Sequence, residues 1–289
     1  MQSMKSDLRK RAERLLAMHG YAVQELHGCC DLIAKKGNRL VVLKVLADAN
    51  ALSIGHAAEL RQFAGSLSAT PLVIAERAGA ALESGIAAMR HGLFTLSLPT
   101  FGAALDTQPL FFLRNSAGVT AGIEGQKLKT ARESAGMSLP EFAAQLGVSR
   151  SMAVQYESAT AHITAQRAVQ LAERFGQEVL ARLELFAPMT FHNSASHSPV
   201  SQKYHSWGFA ATEAHKLPFD VIARRDEEII LTEVGDRFRK GLSPLSQFLD
   251  ADPLVIFDHH RPRDVPALQR EEFFEMRGAK ELIKFVKTY

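Results

Sequence analysis

The sequence contains little cysteine. Its only two cysteines, Cys29 and Cys30, are neighbours in the chain. Adjacent cysteines cannot form an ordinary disulfide framework, and two are too few for a zinc site. We therefore interpret the pair as small buried residues at the edge of a strand, and not as a redox centre.

Long apolar runs are also missing. No stretch reaches the roughly 20 apolar residues that span a bilayer, and residues 1–16 are charged and lack the hydrophobic region of a signal peptide. The overall composition, 46% hydrophobic and 22% charged, is ordinary for a globular protein. We expect a cytoplasmic protein without membrane contact, and 289 residues allow two or three domains.

Residues 137–158, MSLPEFAAQLGVSRSMAVQYES, have the pattern of two short helices joined by a tight turn. Ser138 is suited to cap the first helix, and Glu141 completes a capping box. Gly147 is suited to end that helix, because glycine adopts the left-handed turn at little cost. Ser149 is placed to cap the second helix, with Ala153 and Tyr156 predicted to face inward.

The second helix leaves a mostly uncharged polar face outward, which suits the edges of bases in a DNA major groove. The stretch resembles the helix-turn-helix of the phage Cro/repressor type, and the resemblance implies double-stranded DNA as the partner. In that type the second helix is the recognition helix. The outward residues are Arg150, Ser151, Val154, Gln155 and Ser158.

Among these residues we expect base contacts from Arg150, Ser151 and Gln155, with Val154 on the same face. The candidates for phosphate contacts are Ser149, Lys127 and Ser138. The alternative is a helix-turn-helix that serves only for packing or protein docking.

Net charge is small, +3, and unevenly distributed. It is +4 over residues 1–105, +1 over 124–182 and −1 over 200–289. Phosphate contacts supply much of the affinity for DNA, so one nearly neutral helical module would bind weakly. We therefore expect a homodimer, or help from the basic N-terminal segment.

Residues 1–105 alternate between helical and strand patterns, which predicts a compact α/β domain. Residues 40–46 form a nearly continuous apolar run, typical of a strand that is buried on both faces. Asp31 precedes this strand and Lys44 lies on it. The layout resembles the restriction-endonuclease-like fold and archaeal Holliday-junction resolvases.

In active members of that fold, the resemblance implies an Asp at the start of the second strand and a Glu and a Lys, two residues apart, on the third. Here Val42 stands at the Glu position between Asp31 and Lys44. A divalent metal needs several oxygen ligands, and valine supplies none. We predict no catalytic residues, no metal and no cofactor, unless Glu13 or Asp48 substitutes for the missing carboxylate.

The remaining segments connect or repeat these two modules. Residues 106–123 are predicted to form a connecting hairpin and 124–186 a bundle of four or five helices, the fifth over 177–185. Residues 187–204 are rich in Ser, His and Pro and are predicted to be a linker. His192 and His197 are interpreted as solvated loop residues.

Residues 205–289 repeat the first domain: HGYAVQELHGCCDLIAKKGNRLVVLKVLAD aligns with WGFAATEAHKLPFDVIARRDEEIILTEVGD. Asp31 aligns with Asp220 after a one-residue gap. The repeat has Leu231 at the position of the missing carboxylate and Glu233 at the position of the lysine. Both copies therefore lack a complete nuclease site, and the residues that replace the site differ between the copies.

These features predict a mixed α/β and all-α architecture, in which two degenerate nuclease-like α/β domains flank a helix-turn-helix bundle. Nearly the whole chain resembles an archaeal family of helix-turn-helix transcriptional regulators, which implies DNA binding by the central domain. The alternatives are a metal-dependent DNA nuclease or resolvase and a non-catalytic interaction scaffold. The sequence identifies neither an operator nor an effector.

Overall fold

The computed structural model describes residues 2–116, 118–190, 198–214 and 216–288. The chain divides into two compact units. The first comprises Met1–Leu15, Leu46–Ala51 and Val73–Leu185, and the second comprises Leu16–Val45, Leu52–Leu72 and Phe186–Tyr289. Strands of the N-terminal region contribute residues to both units.

The helices and strands follow one another in three groups. The N-terminal group is α1 (Gln2–Met18), β1 (Ala22–Glu25), β2 (Leu32–Lys36), β3 (Arg39–Asp48), α2 (Ile54–Ser66), β4 (Thr70–Ala78), β5 (Ala80–Ala81), β6 (Ile86–Arg90), β7 (Leu93–Leu96) and α3 (Leu98–Leu105). The central group is β8 (Phe112–Asn115), β9 (Gly118–Ile123), α4 (Gly125–Ser134), α5 (Leu139–Leu146), α6 (Arg150–Glu157), β10 (Ile163–Thr164), α7 (Ala165–Phe175) and β11 (Leu180–Ala181). The C-terminal group is α8 (Pro199–Ser206), β12 (Ala210–Glu213), β13 (Val221–Arg225), β14 (Glu228–Val234), α9 (Leu242–Leu249), β15 (Asp252–Phe257), β16 (Ala267–Gln269), α10 (Arg270–Glu275) and α11 (Ala279–Thr288).

The N-terminal group has the predicted α/β character. Strands β1, β2 and β3 form an antiparallel meander, with Leu32 opposite Leu43. The hydrogen-bonded order of the whole sheet is β1-β2-β3-β4-β7-β6-β8-β9-β10, with β5 beside β4 and β11 beside β9. Val41, Val42 and Leu43 are fully buried, as expected for a central strand with both faces covered.

The hairpin of β8 and β9 is more than the connector predicted for residues 106–123. Strand β9 pairs with β10 and β11, which precede and follow α7. Ala121 and Ile123 of β9 are buried in the same apolar cluster as Leu128 of α4 and Phe142 of α5. The hairpin therefore belongs to the core of the helical module.

The fifth helix predicted over residues 177–185 is wrong. Residues Gln177–Val179 form one turn of 3-10 helix, and the chain then continues as β11. Glu124 donates its backbone N–H to the carbonyl of Val179 at 2.9 Å, and Val179 is fully buried. A short strand replaces the helix because β9 offers an edge with which it can pair.

The C-terminal group forms a second sheet in the order β12-β13-β14-β15-β16. The first three strands are antiparallel, and β15 and β16 join in parallel. Helix α8 covers this sheet through the fully buried Tyr204 and through Val200. The predicted linker 187–204 is therefore helical from Pro199 onward, and His192 and His197 lie outside the described residues.

Aligned positions of the two sheets make the same hydrogen bonds. The backbone N–H of Asp31 donates to Leu43 and that of Asp220 to Thr232, each at 2.8 Å. The carboxylate of Asp31 accepts the backbone N–H of Val45 at 2.8 Å. In the second sheet Asp220 accepts the backbone N–H of Val234 at the same distance.

Both cysteines are buried and unpaired, as the sequence suggested. Among the described residues, no helix is long and apolar enough to cross a bilayer.

Candidate nucleic-acid interface

Helix α5 begins as its sequence requires. The hydroxyl of Ser138 accepts the backbone N–H of Glu141, and the Glu141 carboxylate accepts the backbone N–H of Ser138 at 2.8 Å. This is the predicted capping box. The Ser138 hydroxyl also donates to the Glu141 carboxylate at 2.7 Å, and these bonds hold the pKa of Glu141 below its ordinary value.

The turn between α5 and α6 is built by two residues. Gly147 is left-handed, with φ of 64°, as predicted for the end of α5. Ser149 caps α6, because its hydroxyl accepts the backbone N–H of Met152 at 3.1 Å. Arg167 of α7 donates to the carbonyls of Leu146 and Gly147, which have no partner within α5.

Helix α6 has one buried face and one exposed face. Ala153 is fully buried and Tyr156 is 3% exposed, so both point into the core of the module as predicted. The opposite face is in contact with solvent, and it contains all of the residues that the sequence placed outward, namely Arg150, Ser151, Val154, Gln155 and Ser158. Val154 is 49% exposed.

An ion pair fixes α6 against α4. The guanidinium of Arg132 donates to the Glu157 carboxylate, and the two side chains are only 9% and 10% exposed. Arg132 also donates to the carbonyl of Met137 at 2.6 Å, just before α5 begins. The hydrogen bond from Arg132 to Glu157 raises the pKa of Arg132 above its ordinary value.

Arg132 lies on α4, and sequence reasoning missed this role. The available signal was its spacing: Arg132 lies four residues after the buried Leu128, so it shares the inward face of α4. A charged residue at such a position requires a buried partner.

The ends of α4 and α6 also approach closely. A Cβ atom added at Gly125, the first residue of α4, would lie 2.3 Å from the carbonyl oxygen of Glu157. Only glycine therefore fits at this crossing.

Lys127, a predicted phosphate contact, is exposed on α4. Its ammonium lies 3.9 Å from the carboxylate of Glu124. Exposed pairs of this kind are weak, so the side chain is free to reorient toward a phosphate.

The nuclease-like residues of the N-terminal sheet form a second candidate site. Asp31 and Lys44 do come together: the Lys44 ammonium lies 3.5 Å from the Asp31 carboxylate and donates to the carbonyl of Gly28 at 2.9 Å. Both side chains are largely buried. Val42, at the position of the missing carboxylate, is fully buried and offers no oxygen.

The two candidate substitutes for the missing carboxylate have different surroundings. Asp48 accepts the backbone N–H groups of Asn50 and Gly79 and pairs with Arg77 at 3.1 Å. These bonds give its carboxylate a structural role. Glu13 is half-buried on α1. Among the residues that the structure describes, no three His, Cys, Asp or Glu side chains are grouped so that they could hold a metal ion. Of the three aligned positions, only Asp31 offers carboxylate oxygens, so this set does not fit a divalent metal that needs several oxygen ligands.

The aligned position of the C-terminal sheet has a different cation. Arg239, in the loop after β14, donates to Asp220 at 2.6 Å and to the carbonyl of Leu217 at 2.7 Å. Asp220 and Leu217 are the aligned counterparts of Asp31 and Gly28, which Lys44 contacts in the first sheet. Glu233, which replaces the lysine, is buried and accepts the backbone N–H of Arg239. Burial raises the pKa of Glu233.

Two family models match separate parts of the chain. Residues 5–110 match a PD-(D/E)XK superfamily domain, and residues 128–179 match a helix-turn-helix domain. Both agree with the expectations from the sequence. No solved structure matches the chain.

Relatives with the same printed name, "Putative HTH-type transcriptional regulatory protein", cover the chain more fully. One from Methanocaldococcus jannaschii is 27% identical over 100% of this chain and 98% of its own length. One from Methanospirillum hungatei is 30% identical over 76% of each chain, and one from Methanoculleus marisnigri is 32% identical over 71% of this chain and 69% of its own. This chain belongs to that archaeal family of HTH-type transcriptional regulatory proteins.

Proposed function

We propose that this protein is a sequence-specific DNA-binding transcriptional regulator that inserts α6 into the major groove. The observation that carries the proposal is that α6 has one buried apolar face and one exposed polar face. Ala153 and Tyr156 anchor the helix, while its polar face is exposed in a helix-turn-helix of repressor type. The names of the relatives support the same function.

The exposed side chains suit direct reading of bases. Arg150, in the first turn of α6, can donate two hydrogen bonds to guanine, and Gln155 can pair with adenine through its amide. The exposed Val154 can contact a thymine methyl group, and Ser151 can donate to or accept from a base edge. These are the four side chains to which we assign base contacts.

We assign phosphate contacts to the polar groups whose existing hydrogen bonds and ion pairs leave them able to bind a phosphate. The hydroxyl of Ser149 accepts a bond from Met152, and its hydrogen remains available to a phosphate oxygen. Lys127 is exposed and weakly paired. The hydroxyl of Ser138 already donates to the Glu141 carboxylate, whose negative charge repels phosphate, so we assign Ser138 to capping alone.

We further propose that the protein binds as a homodimer. Repressors of this type read two half-sites about one helical turn apart, so a two-fold operator requires a two-fold protein. The near-neutral charge of residues 124–182 supports this proposal, because one module offers few phosphate contacts.

The match to a nuclease superfamily makes DNA cleavage the second candidate function. We infer that residues 1–105 and 205–289 are both degenerate nuclease-like domains and do not cleave DNA. Val42 and Leu231 are buried apolar residues at the positions where the fold needs a carboxylate. Lys44 and Arg239 instead neutralise the remaining aspartates.

The test is selection from a pool of randomised duplex DNA in the presence of Mg²⁺, with cleavage monitored on the same samples. A regulator enriches a two-fold symmetric sequence and leaves the DNA intact. Cleavage that disappears in Asp31→Ala would establish the nuclease instead. Neither enrichment nor cleavage would favour an interaction scaffold.

Single variants then test the assignment of α6. We expect Arg150→Ala and Gln155→Ala each to cost about 1–3 kcal/mol in binding to the selected site and to relax base preference at one position. Arg174→Ala is the matched control, because Arg174 is an arginine of the same module that lies on α7 beside Phe175. Full affinity in Arg150→Ala would contradict the assignment of α6.

A further inference from the structure

The second compact unit contains parts of both repeated segments. We call residues 16–45 and 52–72 the N-terminal copy and residues 199–288 the C-terminal copy. Helix α2 of the N-terminal copy contacts β12 and β13 of the C-terminal copy. At this contact the rings of Phe63 and Phe219 have centroids 6.2 Å apart.

The two copies correspond residue by residue in the elements that meet. Ala22 pairs with Lys35 across β1 and β2, and Ala210 pairs with Arg224 across β12 and β13, so Lys35 and Arg224 occupy the same place. The sequence Ser-Ala-Thr-Pro-Leu-Val-Ile that starts at Ser68 aligns with Asp-Ala-Asp-Pro-Leu-Val-Ile from residue 250.

The ends of α2 and α9 share their backbone geometry as well. Ser68 and Asp250 are both left-handed, with φ of 50° and 52°. The next residue in each copy, Ala69 or Ala251, donates its N–H back into the helix, to the carbonyl of residue 64 or 246, at 2.8 and 2.9 Å. Ser68 and Asp250 are therefore equivalent positions.

Two side-chain hydrogen bonds between the copies are reciprocal. Lys35 of the N-terminal copy donates to Asp250 of the C-terminal copy. Arg224, the counterpart of Lys35, donates to Ser68, the counterpart of Asp250. Contacts that recur with the roles of the two partners exchanged are the signature of an isologous, two-fold interface.

Equivalent positions also meet each other, which happens only near a two-fold axis. Gly28 and Leu217 are equivalent because their carbonyls accept the same bond, from Lys44 and from Arg239. A Cβ atom added at Gly28 would lie 3.2 Å from Cδ2 of Leu217 and 2.8 Å from the carbonyl oxygen of Lys216. Gly28 has φ of 153°, so its backbone also favours glycine.

We propose that the two nuclease-like copies form a pseudo-dimer within one chain, joined across a local two-fold axis that passes near Gly28 and Leu217. On each copy, the surface around this axis is covered by the other copy of the same chain. The surface is thus not available to a second protein molecule, and a homodimer that binds DNA must form through other residues. The proposal stands whether or not α6 reads DNA.

Cysteine cross-linking tests the pairing in the full-length protein. One variant combines Lys35→Cys with Asp250→Cys, and the other combines Ser68→Cys with Arg224→Cys. The four single variants are matched controls, and the wild type shows the background from Cys29 and Cys30, which are buried. Each dilute sample is treated with a short bis-maleimide, and the cross-linked peptides are identified by mass spectrometry after separation on a denaturing gel.

We expect both double variants to give a cross-link within one chain, at least tenfold more abundant than in the single variants. A covalent dimer from both double variants would show that the copies pair between chains and would overturn the proposal. Absence of any cross-link in double variants that retain the circular dichroism of the wild type would overturn it equally. Full DNA affinity in Arg150→Ala would contradict only the function proposed for α6 and would leave the cross-links unchanged, so the two failures are distinguishable.

Discussion

The ion pair between Arg132 and Glu157 is the sharpest test of how the helix-turn-helix is held together. Replacing Glu157 with Gln leaves the Arg132 guanidinium buried without its counter-charge. Breaking a buried pair by removing one partner costs about 3–5 kcal/mol. Arg132 keeps its bond to Met137 and a longer contact with Glu133 at 3.4 Å, so we expect the lower end, about 3 kcal/mol.

The reverse substitution should cost more. In Arg132→Met the Glu157 carboxylate keeps its burial and loses its cation, so we expect a loss near the upper end, about 5 kcal/mol. Replacing both residues, as Arg132→Met with Glu157→Leu, removes both charges while the volumes stay similar. Such replacements are often neutral, so we expect the double variant to lie within about 1 kcal/mol of the wild type.

Local hydrogen exchange in α4 and α6 is the appropriate assay, because a chain with two compact units does not have one well-defined free energy of unfolding. Exchange in the C-terminal sheet of the same sample serves as the internal control. The reasoning is refuted if both single variants stay within about 1 kcal/mol of the wild type, or if their losses simply add in the double variant.

Two further predictions concern backbone packing and pH. Gly125→Ala should destabilise α6 by about 1–3 kcal/mol, since its Cβ would lie 2.3 Å from the carbonyl oxygen of Glu157. Hydrogen exchange in α6 measures this loss, with Gln126→Ala at the exposed neighbouring position as the control. Equal protection from exchange in the two variants would contradict the close approach. Backbone N–H groups of residues 258–260, that of His259 first, hold the pKa of Asp236 well below its ordinary value. Because this pKa is lowered by folding, the stabilisation is present above the unfolded pKa of about 4 and is lost as the pH falls below it. In Asp236→Asn, the urea concentration needed for unfolding should therefore fall less steeply as the pH is lowered below about 4. The same dependence on pH as in the wild type would argue against this role for the carboxylate.

The helix-turn-helix could be predicted in detail because its information is local. Caps, a left-handed glycine and an apolar face each depend on residues within one or two turns of helix. Ser138, Glu141 and Ser149 therefore cap their helices as predicted, and Gly147 ends α5. The exposed face of α6 follows from the same helical phase.

The two wrong predictions of secondary structure have a common physical cause. In each case the segment contacts a partner that is distant in the sequence. The stretch that begins at Leu180 has a helical pattern but becomes a strand because the edge of β9 is beside it. The linker prediction failed at Pro199 because α8 finds a sheet to cover, where Tyr204 donates to or accepts from Thr232 at 2.6 Å. Neither partner is visible within the local sequence.

The replacement of Lys44 by Arg239 shows what an internal repeat can and cannot reveal. Alignment finds that the lysine position becomes Glu233, and taken alone it suggests that the second copy has lost its cation. The structure shows that the cation has moved to the following loop, where Arg239 reaches Asp220 and Leu217 as Lys44 reaches Asp31 and Gly28. A buried or half-buried aspartate at the start of the central hairpin needs a positive partner, but not one from a fixed sequence position. The physical requirement is thus retained in both copies while the residue that meets it changes, which points to a structural role for this pair of charges in each copy.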